Sequence, residues 1–133
     1  MSAAAHIIES PVKLGIIAGS GSLPRTVMKA CAQNGREFFV IAVEDGADEE
    51  TLALAGEHYA TVRIGAIGKA IELLRAHGCE ELVLAGKVQR PKITALRPDL
   101  KGAKLLARVG TQLITGDNAL LSNIIEFFEE EGF

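Results

Sequence analysis

The stretch Val12-Lys13-Leu14-Gly15-Ile16-Ile17-Ala18-Gly19-Ser20-Gly21-Ser22-Leu23-Pro24 decides the fold. Its first seven residues are an apolar run broken only by Lys13 and Gly15, the pattern of a strand covered on both faces in a parallel sheet. The remainder is a glycine-rich turn into a helix. Ser22 is a candidate N-cap, and Pro24 is tolerated in the first helical turn because an N–H there has no intrahelical partner. A strand that ends in such a turn aims several backbone N–H groups at one point, so a ligand is expected there.

Outward from this stretch the alternation repeats. Leu23, Val27, Ala30 and Cys31 keep helical spacing until Asn34-Gly35, and Phe38-Phe39-Val40-Ile41-Ala42-Val43 is a second buried strand. Asp48-Glu49-Glu50 opens a short helix, with acids placed to suit its dipole. Tyr59-Ala60-Thr61-Val62 is a short third strand. Ile67, Ala70, Ile71, Leu73 and Leu74 mark a helix that stops at His77-Gly78, and Glu81-Leu82-Val83-Leu84-Ala85 is the fourth strand. Strands and helices in short-linked alternation predict an open, doubly wound parallel α/β sheet with helices on both faces, built by right-handed crossovers. The expected strand order is 3-2-1-4, with ligands outside the carboxyl ends where the first and fourth strands meet.

Beyond Gly86 the character changes. Residues 87–99 hold two prolines and four basic side chains, too irregular for a strand, and read as a functional loop or docking arm. Leu105, Leu106 and Val109 support a helix from Leu100, and Gly116-Asp117 opens a last helix with Leu120, Leu121, Ile124, Ile125 and Phe128 along one face. Gly132 closes it. A helix followed by a glycine and a lone hydrophobic residue reads as a turn into a further strand, so a second domain is expected outside this chain. Residues 1–11 read as a flexible tail and 12–133 as one domain.

Composition narrows the function. A net charge of −3, five Phe, one Tyr and no Trp argue against a nucleic-acid binder, which needs a basic footprint and stacking faces. Cys31 and Cys79 have no metal-ligand spacing and read as buried apolar residues of a reducing compartment. The first ten residues lack a basic segment and a long apolar run, so they do not form a signal peptide. No run approaches the length of a membrane-spanning helix. A cytoplasmic protein is expected, with surface attachment to a membrane left open.

Three glycine-bearing turns follow strands and so share one edge of a parallel sheet. Gly19 and Gly21 fit the first two positions of the dinucleotide fingerprint, but Pro24 stands where the third glycine packs helix on strand. Glu44, at the end of the second strand, could imitate the ribose-binding carboxylate. Gly65-Ala66-Ile67-Gly68-Lys69 has two residues between its glycines and Ala70 after the lysine, so it is not a triphosphate-binding loop. Lys69 opposes the helix dipole, and reads either as solvated or as facing an anion. Gly86-Lys87-Val88-Gln89-Arg90-Pro91 adds two more cations to the same rim, where an anionic ligand is the expectation. Asp99 and Asp117 stand at helix starts and read most simply as N-caps. His6, His58 and His77 share no ligand spacing, and neither Ser20 nor Ser22 has a recognisable histidine partner.

Five ordered segments carry a family resemblance: Gly19-Ser20-Gly21-Ser22-Leu23-Pro24, Ile64-Gly65-Ala66-Ile67-Gly68-Lys69, Leu84-Ala85-Gly86-Lys87-Val88-Gln89-Arg90-Pro91, Leu96-Arg97-Pro98-Asp99-Leu100 and Gly116-Asp117-Asn118-Ala119-Leu120-Leu121. Over residues 13–133 the chain resembles the Rossmann-like N-terminal domain of the UDP-2,3-diacylglucosamine pyrophosphatases of the LpxI type. The resemblance implies a hydrolase of lipid A biosynthesis that splits UDP-2,3-diacylglucosamine into 2,3-diacylglucosamine 1-phosphate and UMP. It implies a divalent metal, Mg or Mn, held by a catalytic C-terminal domain, with no metal on this chain and little activity from it alone. The substrate-binding residues it implies here are Gly19, Ser20, Gly21, Ser22, Leu23, Pro24, Gly65, Gly68, Lys69, Gly86, Lys87, Arg90, Asp99 and Asp117; the catalytic ones would lie in the other domain. The family more often has two acids where this chain has Asp117-Asn118. Implied partners are the nucleotide-sugar lipid and the chain's own C-terminal domain, with contact at the inner face of the inner membrane and a homodimer left open. The alternative is a non-catalytic Rossmann-like nucleotide-binding or regulatory module.

Overall fold

The computed structural model describes residues 12–88, 96–115 and 119–133. The elements in order are β1 (Leu14–Ala18), α1 (Leu23–Gln33), β2 (Phe38–Val43), α2 (Glu49–Ala55), β3 (Tyr59–Val62), α3 (Ile67–Ala76), β4 (Glu81–Ala85), α4 (Leu100–Thr115) and α5 (Ala119–Glu130). The strands form one parallel sheet in the order β3-β2-β1-β4. The expected fold class and strand order both hold. Three strands coincide with their predicted residues, whereas α4 runs on past Val109 to Thr115.

Side chains of β1 alternate between two cores. Leu14, Ile16 and Ala18 pack with Met28, Cys31, Val40 and Ala55 under α1 and α2. On the opposite face Phe39 and Ile41 meet Ala70 and Leu74, while Ile17 joins Ile71, Leu105, Val109, Phe127 and Phe128 beneath α3, α4 and α5. Leu14, Ile16, Val40 and Leu74 are fully buried, each stabilising the fold by about 1.5–3 kcal/mol relative to exposure. A Cβ on Gly15 would stand 2.5 Å from Leu74 Cδ2, so the break in the apolar run lets α3 lie close on β1. Cys31 and Cys79 are free and buried, and that burial pushes both thiols up.

Three local expectations need correction. Ser22 occupies the N-cap position of α1, but its side chain makes no cap bond. Leu23 is exposed, and the expected apolar face of α5 is split: Phe127 and Phe128 are buried while Leu121 and Ile125 face outward. At Gly132-Phe133 the chain closes a Schellman cap. Phe133 N–H donates to Phe128 O at 3.1 Å and Gly132 N–H to Glu129 O at 3.0 Å, and the Phe133 ring meets Phe128 edge-on. The positive φ of Gly132 and the Phe133–Phe128 contact are the marks of that cap.

Candidate functional site

The turn after β1 is tied to the exit of β4. Gly19 N–H donates to Ala85 O and Ser20 N–H to Lys87 O, both at 2.8 Å, while Lys87 N–H returns a bond to Ser20 O. Ser20 Oγ donates to the same Lys87 carbonyl. A Cβ on Gly19 would lie 2.4 Å from Lys87 O, so this glycine is required by the crossing of two loops. The next N–H is also taken: Gly21 donates to Asp48 Oδ2 at 3.2 Å. Asp48 stands at the N-cap of α2 yet makes no side-chain cap bond there. It pairs instead with Arg25 of α1, whose guanidinium also reaches Glu50 and the buried Thr51 hydroxyl.

The turn after β3 is built around Asp99. Its Oδ1 accepts from Gly68 N–H at 3.0 Å and Gly102 N–H at 2.8 Å, and Oδ2 accepts from Lys69 N–H at 2.9 Å. One carboxylate thus caps α3 and α4 together, joining residues far apart in sequence. Partial burial pushes this carboxyl up, but the bonds from Gly102, Gly68 and Lys69 and the charge of Arg63 outweigh it and hold it below the ordinary value. A Cβ on Gly102 would collide with Gly65 O at 1.9 Å. The glycine therefore lets α4 start hard against the β3 turn. Asp99 supplies the negative charge at the start of α3 through the backbone N–H groups of Gly68 and Lys69.

Two depressions of opposite chemistry flank the Gly65 turn. On the β2–β3 side lies an open polar groove of about 790 Å³ lined by Glu44, Glu72, Asp99, Arg63, Lys69 and Lys101 among others. Its charges are mixed, not uniformly basic. On the β1–β4 side lies an apolar cleft of about 340 Å³ whose walls include Ile64, Leu84, Val88, Leu113, Leu121 and Ile124. This is where the strand order reverses, the usual place for a ligand in an open α/β sheet.

The predicted site residues therefore fall into two knots. Gly19, Ser20, Gly21, Gly86 and Lys87 form the first, with Ser22 and Leu23 exposed above a buried Pro24. Gly65, Gly68, Lys69 and Asp99 form the second. Arg90 and Asp117 lie outside the described residues. Sequence reasoning gave Asp48 only a place at a helix start and passed over Arg25 and Gly102. A glycine two residues inside a helical pattern was the available signal for Gly102. Among the described residues, no group of three or more His, Cys, Asp or Glu side chains could hold a metal ion, and no helix is long and apolar enough to cross a membrane.

The four-stranded doubly wound sheet, with glycine turns, groove and cleft on its carboxyl rim, defines a Rossmann-like α/β domain with a candidate ligand site. The chain belongs to the LpxI N-terminal domain family, whose profile matches residues 13–133. It is 41% identical over 121 residues to a Caulobacter vibrioides protein named UDP-2,3-diacylglucosamine pyrophosphatase LpxI. That match takes in 91% of this chain and 42% of the relative, so the chain spans about two fifths of the relative's length.

Proposed function

We propose that this chain is the N-terminal, substrate-binding part of a hydrolase that cleaves UDP-2,3-diacylglucosamine to 2,3-diacylglucosamine 1-phosphate and UMP in the cytoplasm. The observation that carries the reading is the pairing of a polar groove with an apolar cleft on one rim. An amphiphilic ligand, charged at one end and acylated at the other, matches that pairing. The relative's name supplies the same chemistry. On this reading the sugar nucleotide lies over the groove, acyl chain enters the cleft, and Lys69 and Lys87 offset the diphosphate charge. Positioning and charge compensation are the main protein contributions to phosphoryl transfer. The divalent metal and the catalytic carboxylates belong to residues outside these 133.

Incubation of the full-length protein with UDP-2,3-diacylglucosamine and Mg²⁺ or Mn²⁺ tests the proposal. UMP release is expected, and its absence overturns the reading. A second reading, a non-catalytic nucleotide-binding module, is favoured by Glu44, which lines the groove just beyond β2 where a ribose-binding carboxylate would stand. Calorimetric binding of NAD without any response to the lipid substrate would select it.

A further inference from the structure

We propose that Arg63 binds the phosphate that stays with the acylated sugar, and so sets which half of the substrate this domain recognises. The inference rests on the substrate-binding reading above and names a residue which that reading does not use. Arg63 directly follows β3. With Val62 and Ala66 it lines the polar groove, and the same three residues line a small apolar extension of about 140 Å³ beside the Gly65 turn. That extension shares Ile17, Ile64, Leu84, Val88 and Ile124 with the apolar cleft. Groove and cleft are therefore one continuous tract, and Arg63 stands where its chemistry changes.

Among the described residues, Arg63 is the one charged side chain lining the apolar part of that tract. A cation against an apolar wall is disfavoured unless water or an anion meets it, and Arg63 is exposed, so a ligand can reach it. Its guanidinium is held from one side: Nε donates to Arg97 O at 3.0 Å, and the two terminal nitrogens make no hydrogen bond among the described residues. The negative charge of Asp99 acts on it, but both Asp99 oxygens already accept from backbone N–H groups. A fork anchored at Nε offers its outer edge to a pair of phosphate oxygens, a geometry an ammonium cannot match. Lys101, another cation of the groove, is paired with Glu131. A ligand with an acyl chain in the cleft and a nucleotide over the groove passes its junction over Arg63. The first anion beyond the acylated sugar is its 1-phosphate, and the uridine-side phosphate falls further along the groove.

The test is equilibrium binding to the full-length protein, in mild detergent, of 2,3-diacylglucosamine 1-phosphate, 2,3-diacylglucosamine and UMP, in the parent, Arg63→Gln and Arg63→Lys. Glutamine can still donate to Arg97 O but carries no charge, whereas lysine keeps the charge without the planar fork; matching thermal midpoints establish that the fold is intact. Arg63→Gln should weaken binding of the acylated sugar phosphate about tenfold and leave the phosphate-free lipid and UMP unchanged, and Arg63→Lys should recover part of the loss. Unchanged binding of the sugar phosphate overturns the inference, as does an equal loss for UMP or for the phosphate-free lipid, or a lysine variant no better than glutamine. If the parent binds none of the three and releases no UMP from the substrate, the substrate-binding reading falls as well. Binding by the parent with no loss in the variants removes Arg63's role alone.

Discussion

The turns after β1 and β3 share a design: each follows a parallel strand, each opens a helix, and each holds a carboxylate from elsewhere in the chain. They differ in how that carboxylate is bound. Asp99 receives three backbone N–H bonds and joins two helix starts; Asp48 receives one N–H bond and one half-buried guanidinium. A carboxylate with three backbone donors is architecture, whereas one with a single backbone donor and a side-chain partner is held less firmly. The difference teaches that a glycine turn at a helix start identifies a place for negative charge and leaves open whose charge it is.

The largest expected effect comes from removing the architectural acid. Asp99→Ala leaves Gly68, Lys69 and Gly102 N–H groups without their acceptor and should destabilise the chain by roughly 3 kcal/mol, measured by urea unfolding; a loss under about 1 kcal/mol would erase the distinction between the turns. Gly102→Ala forces a methyl group against Gly65 O and should cost roughly 2 kcal/mol in the same assay. Unchanged stability there would show that α4 can back away from the β3 turn.

Acid sharpens the contrast. Asp99 is held below its ordinary value in the folded chain, so its stabilising contribution is complete above the unfolded value near pH 3.9 and is lost as pH falls through the lower folded value. The parent should therefore lose more stability on acidification below about pH 4 than Asp99→Asn does, and parallel curves would contradict this. Asp48→Ala should change stability least, by roughly 1 kcal/mol, because it breaks one half-buried ion pair and one N–H bond while Arg25 keeps Glu50 and Thr51.

Local pattern made the scaffold legible. The runs at 38–43, 59–62 and 81–85 are the strands themselves, because the central strand is apolar throughout while the two edge strands keep an apolar majority with Thr61 and Glu81 as the polar exceptions. The rim was legible only in outline. Parallel topology put the three glycine turns on one edge, yet their N–H partners lie 27 to 67 positions away, beyond any periodicity. Gly19 illustrates the limit: its lack of a side chain suggested a ligand, while the structure shows a neighbouring carbonyl in that space. Lys69 illustrates a second limit, since the carboxylate at its helix start binds its backbone N–H, a contact that any residue type would make. The exposed half of α5 was misread because helical periodicity selects a stripe without fixing its width.

The double cap at Asp99 also bears on the order in which the chain can be made. Gly68 N–H waits for a carboxylate 31 residues downstream. At a synthesis rate of about 5–20 residues per second, α3 emerges roughly 2 to 6 seconds before its cap exists. Through that interval the N-terminal turn of α3 has only water for its Gly68 and Lys69 amides. Asp99 then serves the start of α4 and the start of α3 with the same carboxylate.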